Sequence, residues 1–205
     1  MRITWLFTGL ALAALPRAGS DPAFVLWQPP GTITIRDWIW GPGGEDRAPQ
    51  PPFEFLEEDR NGTNPKITVR DGKGDQWVVK FGEENHSDVF VSRLLFALGY
   101  VTQPSYFVAG GVISGVHDLR RAKPFIGNDG SFAYARFKLH DHKTLARAEG
   151  HIWSWNDNPF IGSRELNGLK ILLMLTSNWD AKDARDGKGS NTSVYSKPGS
   201  DGQLY

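Results

Sequence analysis

Within SNWDAKDARDGKGSN, residues 177 to 191, Asp180 is followed two positions later by Lys182, and Asn191 closes the segment ahead of a strand-like TSVY. Phosphoryl transfer needs a carboxylate to orient the acceptor hydroxyl, a cation for developing charge and oxygen ligands for Mg²⁺. Asp180 and Lys182 are therefore the candidate catalytic pair, and Asn191 the candidate metal ligand. The same residue types also build an ordinary solvated loop in which Asp180 caps the preceding helix. A second candidate lies upstream, where Lys80 ends the apolar run Trp77, Val78, Val79 and precedes Glu83, Glu84 and Asp88. An ammonium held by a neighbouring helix carboxylate neutralises phosphate oxygens; the plain alternative is an edge-strand lysine reaching for water. Just before it, the turn EDRNGTNPK brings Gly62, the Thr63 hydroxyl and backbone N–H groups where phosphate could approach closely. That turn matches neither G-x-G-x-x-G nor a Walker A loop.

Other constellations are less complete. His140, Asp141 and His142 could set two imidazoles on one strand face, but Zn²⁺ needs a further ligand and His151 is the nearest histidine. Residues 182 to 193 fail as an EF-hand, because Gly187 at the sixth position leaves Lys182, Ala184 and Ser193 where acids are required. A G-x-S-x-G elbow is missing, and GVISGVHD has no acid–base partner. Asn61-Gly-Thr, Asn85-His-Ser and Asn191-Thr-Ser fit glycosylation sequons, tripeptides that chance supplies often.

These side chains need elements to position them. FEFLEED, KITVRD and GDQWVVKFG read as strands, the last two joined by the hairpin turn RDGKGD. HSDVFVSRLLFALGY reads as a helix with an apolar stripe through Val89, Leu94 and Leu98, joined by Phe90 and Leu95, with Ser87 as N-cap and Gly99 as its stop. SYFVAGGVISGV reads as a pair of strands and FAYARFKL as another. HIWSWNDNPF is aromatic and turn-rich, with Asn-Pro marking a break. SRELNGLKILLMLTSNW is expected to be a buried helix, with Ser163 and Glu165 near its start.

Composition narrows the classes of function. Lys plus Arg and Asp plus Glu number 23 each, so no basic field speaks for nucleic acid or an anionic membrane. MRITWLFTGLALAALPRAGS has the layout of a secretory signal: Arg2, an apolar run from Ile3 to Leu15, then small residues. Without cysteine there is neither a disulfide framework nor a lipoprotein anchor. The expectation is a periplasmic or secreted protein with no stable membrane anchor after signal cleavage. Residues 21 to 52, rich in Pro and Gly, read as a linker or wrapping arm anchored partly by Trp27, Trp38, Ile39 and Trp40.

The order strand, VVK, acidic helix, strands, apolar helix, D-x-K, Asn and hairpin resembles a protein-kinase-like core. More narrowly, FEFLEEDRNGTNPKITVRD, QWVVKFGEE, SRLLFALGY, NPFIGSRELNGLKILLMLTSNWDAKD and SNTSVY look like a family of exported, largely uncharacterised bacterial proteins related to lipid-kinase-like and secretory-pathway kinases. The resemblance implies an α+β, protein-kinase-like fold. Residues 53–139 would be a small β-rich N-lobe with one helix, and 140–205 the beginning of a helical C-lobe carrying the catalytic-loop-like segment. It further implies Mg²⁺ and ATP as cofactors. Lys80 would lie on the ATP phosphates and pair with Asp88 or Glu84, Gly62 and Thr63 would line the nucleotide, Asp180 would be catalytic and Asn191 would hold metal. The phosphate acceptor is left open. This sequence departs from the family pattern at Asp88, one methylene shorter than the usual glutamate, and at Arg185, five residues after Asp180, where kinases carry asparagine. The chain reads as a fragment stopping in mid-hairpin at Tyr205, ahead of any second metal-binding D-x-G motif, and is expected to be inactive alone. The alternative is a non-catalytic exported binding module, a pseudokinase.

Overall fold

The structure is a computed structural model that describes residues 24–30, 38–62, 64–140, 146–148, 153–178, 193–196 and 204–205. Strands β1 (Phe53–Asp59), β2 (Lys66–Arg70) and β3 (Gln76–Lys80) are followed by helix α1 (Asn85–Ala97). Next come β4 (Ser105–Ser114), β5 (Ser131–Leu139), the short β6 (Ala146–Arg147), helix α2 (Arg164–Leu175) and β7 (Tyr195–Ser196).

The first three strands form by local rules. In β3, Trp77 and Val79 point inward while Gln76, Val78 and Lys80 point away, the period-2 pattern of a strand with one buried face. The RDGKGD hairpin closes on the Asp71 carboxylate, which accepts from the backbone N–H groups of Lys73 and Asp75, both at 2.9 Å. Trp77, Ile67, Val69, Val79 and Phe137 are fully enclosed in the core, each contributing about 1.5–3 kcal/mol by leaving water.

The protein-kinase-like α+β expectation is overturned by how this sheet ends. The strands run β1–β2–β3–β5–β4 and close into a barrel, because β4 reaches back to pair parallel with β1 through Phe53↔Ile113 and Glu54↔Ser114. SYFVAGGVISGV, read as two strands, is one continuous ten-residue strand. Its central glycines make no turn. A Cβ on Gly111 would lie 3.0 Å from the Phe132 ring, so the bare backbone admits that ring to the core. Among the described residues there are two α-helices and no helical lobe.

Both helices differ from expectation at a specific point. Glu84, not Ser87, is the N-cap of α1; the Ser87 hydroxyl lies inside the first turn and donates to the Glu84 carbonyl at 2.9 Å. The helix does stop at Gly99, whose φ of 93° supports two closing bonds, Gly99 N–H to Phe96 O at 3.0 Å and Tyr100 N–H to Leu95 O at 2.9 Å. The arm locks onto this end: Trp27 Nε1 donates to Leu98 O at 2.7 Å and Gln28 N–H to Gly99 O at 2.9 Å. In α2 the Ser163 hydroxyl accepts from Leu166 N–H at 3.1 Å, a side-chain N-cap. Against the expectation of a buried helix, only Leu166 of α2 is buried, and Ile171, Met174 and Leu175 are exposed. The expectation came from the apolar content of the segment, which does not say what packs against it. Leu166 joins Trp153, Val194 and Leu204 in a second, smaller cluster, over which Phe24 and Leu26 of the arm fold.

Candidate functional site

Lys80 is the last residue of β3, which lies between β2 and β5, so it is not an edge-strand lysine. The antiparallel registers set Asp59, Lys66, Lys80, Arg136 and Phe107 side by side across β1, β2, β3, β5 and β4. Directly opposed residues share a face. Here it is the outer face, since the neighbours Ile67, Val79, Phe137 and Tyr106 fill the core. Helix α1 packs against β4 and β5 and brings its acids onto the row.

The Lys80 side chain is 13% exposed, and its ammonium lies 2.9 Å from the Glu84 carboxylate and 2.9 Å from that of Asp88. Arg136 reaches the same Asp88 oxygen at 3.2 Å. Asp88 thus bridges two cations, and Lys80 bridges two carboxylates. The Asn64 side-chain amide donates to Glu84 at 2.9 Å, which ties the β1–β2 turn to the start of α1. Gly62 in that turn has a φ of 76° and faces Lys66, whose ammonium is paired with Asp59 at 2.9 Å. The hydrogen bond and charge of Lys80 hold the Glu84 carboxyl below its usual range. Burial pulls Arg136 down, against the attraction of Asp88 and Glu84. Lys138, two residues along β5 on the same face, is drawn to about 8, first by burial and then by Arg136.

Of the residues singled out in the sequence, Lys80, Glu84 and Asp88 come together, and Gly62 lies in the turn that Asn64 links to them. Thr63, Asp180, Lys182 and Asn191 lie outside the described residues, as do Asp141, His142 and His151 of the other metal candidate. Arg136, Lys138 and Asn64 were missed. The alternation in ARFKL sets Arg136 and Lys138 on one face. Their meeting with Lys80, however, depends on β3 pairing with β5 across an intervening helix and strand.

A further carboxylate was also missed. The Glu58 side chain, 2% exposed, accepts backbone N–H bonds from Arg120, Arg121 and Ala122 at 2.9, 2.8 and 2.7 Å. Burial acts against its ionisation, and these three donors together with Arg60 outweigh it, so the carboxyl sits below its usual range. This is an anion-binding backbone concavity filled by the protein's own side chain, and it fastens the β4–β5 connection over one end of the barrel.

No protein-family model, no curated protein and no solved structure matches this chain. The likeness to exported kinase-like proteins therefore rests on the quoted sequence stretches alone. Among the described residues no group of three or more His, Asp or Glu side chains could hold a metal ion. The carboxylates on and beside the row are already engaged, Asp59 by Lys66 and Glu84 and Asp88 by Lys80, so these side chains do not by themselves fit a resident Mg²⁺.

Proposed function

We propose that this chain is a binding module for a phosphorylated ligand, with Lys80 as the anchor for the phosphate. The observation that supports it is the Lys80 side chain, mostly enclosed on a strand paired on both sides, with its ammonium oriented by two carboxylates at 2.9 Å. Two bonds leave the third donor of an ammonium for a ligand oxygen. The start of α1 is at hand, since Glu84 is its N-cap, and a helix N-terminus favours negative charge. Glu84 is itself 62% exposed and so is the carboxylate that can swing aside when a phosphate arrives, while Asp88 stays between Lys80 and Arg136. Phosphoryl transfer would call on Asp180, Lys182 and Asn191, and this reading does not use them or ATP-bound Mg²⁺.

The test is a thermal unfolding series with pyrophosphate on the full chain. A ligand at a hundredfold its Kd stabilises by about 2.7 kcal/mol, so the midpoint should rise with pyrophosphate and stop rising in Lys80→Met. Glu84→Gln, which removes a competing negative charge from an exposed position, should strengthen the response. An unchanged response in Lys80→Met, or none in the parent, overturns the proposal.

A further inference from the structure

Lys138 differs from the cations near it in being unpaired. Lys80 and Arg136 both hold carboxylates, whereas Lys138 forms no ion pair and no hydrogen bond among the described residues. Its cross-strand partners are the apolar Val78 on β3 and Ser105 at the start of β4. Ser105 is only 5% exposed, and its hydroxyl has no hydrogen-bond partner among the described residues. Directly opposed residues share a sheet face, so an unpaired amine and an unpaired, buried hydroxyl stand side by side. Helix α1 closes over them, its Arg93 donating to the Ser105 carbonyl at 3.4 Å.

A third group belongs to the same place. Arg136, two residues along β5 on the same face, has an enclosed Nε–H without a partner. Buried polar groups are nearly always satisfied, and each exception costs stability. The Lys138 amine, the Ser105 hydroxyl and the Arg136 Nε–H are all donors, and what they lack in common is an acceptor. A negative group built on the Lys138 nitrogen would supply it.

We infer that Lys138 is a carbamate-forming lysine, which takes carbon dioxide on its amine and holds the product oxygens with the Ser105 hydroxyl and Arg136. The neutral amine attacks the carbon of CO₂. An N–C bond forms, one C=O π pair moves onto oxygen, and one amine proton leaves to water, giving an N-carboxylate. The neutral amine is present near neutrality, since burial first and the Arg136 charge second draw Lys138 to about 8, against the attraction of Asp88. Asp88 opposes the new negative charge, but its own is already shared by Lys80 and Arg136. An imine with an aldehyde or ketone fits less well, because its protonated nitrogen would restore a cation beside Arg136. CO₂ is also small enough to reach an amine covered by a helix. This site is independent of the phosphate reading.

The experiment equilibrates the full chain with ¹³CO₂ at pH 8, traps carbamates with a trialkyloxonium salt and reads the label on each lysine by mass spectrometry. The exposed Lys123 is the internal reference. At pH 8 a lysine titrating near 8 has about a hundredfold more free amine than one titrating near 10.4, so Lys138 should carry about thirtyfold or more label than Lys123. In Ser105→Ala, which removes a donor to the product without leaving any group newly unpaired, the Lys138 label should fall about tenfold. Its rate of reductive methylation, which follows the free amine, should be unchanged, and that result also reports a folded variant. Label at Lys138 no greater than at Lys123 overturns the inference. So does label that survives Ser105→Ala, or that falls only in step with methylation. None of these outcomes involves phosphate, so the phosphate reading stands or falls separately.

Discussion

Replacing Lys138 by methionine should stabilise the protein at neutral pH. Lys138 lies on the outer face of β5 with Val78 and Ser105 as its cross-strand partners, the face that α1 covers. Burial is the largest influence on its ammonium and Arg136 the next, and together they pull its pKa from 10.5 to about 8 against the attraction of Asp88. That gap corresponds to at most roughly 3 kcal/mol of penalty on the charged form, and relaxation of the flexible stem reduces the realised cost to about 1–2 kcal/mol. Methionine keeps the stem and discards the charge, so at pH 7 the midpoint of Lys138→Met should rise by roughly 2–8 °C for a domain of this size. The sign of the pH dependence follows from linkage. Between pH 8 and 10 the unfolded chain keeps this proton while the folded chain has released it, so parent stability climbs with pH across that window. The variant should lack the climb. Above about pH 10 Tyr100 acts in the opposite direction, because burial and Glu165 raise its hydroxyl and the fold holds a proton that the unfolded chain loses. The assay is chemical denaturation of both proteins at pH 7, 8, 9 and just below 10. A variant less stable than the parent at pH 7, or a parent whose stability is flat from pH 8 to 10, would refute the buried-ammonium argument.

Two further substitutions probe how the barrel is held. Glu58→Gln leaves one acceptor oxygen for three backbone donors and turns an amide group toward them, so it should cost about 2–3 kcal/mol in denaturant unfolding. The Glu58 carboxyl is held below its ordinary value of 4.5, so its contribution is present above that pH and lost as the pH falls through the lower, folded value. The parent should therefore lose stability in acid more steeply than Glu58→Gln. Gly99→Ala forces a side chain into positive φ and drives its Cβ against the Gln28 carbonyl. It should lower stability by more than about 1 kcal/mol and, in limited proteolysis, expose the arm around Trp27 and Gln28 to faster cleavage.

Much of the local structure was legible in the residues. The period-2 pattern of β3, the Asp-Gly hairpin, the Ser163 cap and the Gly99 stop all depend on groups within a few positions of one another, and local sterics and hydrogen bonds settle them. The pairing of Lys80 with an acid of the following helix is also short-range, since Glu84 is four residues away and Asp88 eight. The reading failed where distant segments meet. SYFVAGGVISGV read as two strands; in β4 Gly111 admits the Phe132 ring to the core, and the uninterrupted strand then closes the barrel on β1.

The sequence by itself therefore determined where β1, β2, β3, β5 and the two helices lie, and that a lysine with nearby acids could meet an anion. Only the tertiary structure decided that the sheet closes into a barrel and that Arg136 and Lys138 join Lys80. The physical reason is range. Alternation and capping are imposed by bonded neighbours, whereas register between strands separated by a helix follows from the fit of the whole core, and no single segment contains it.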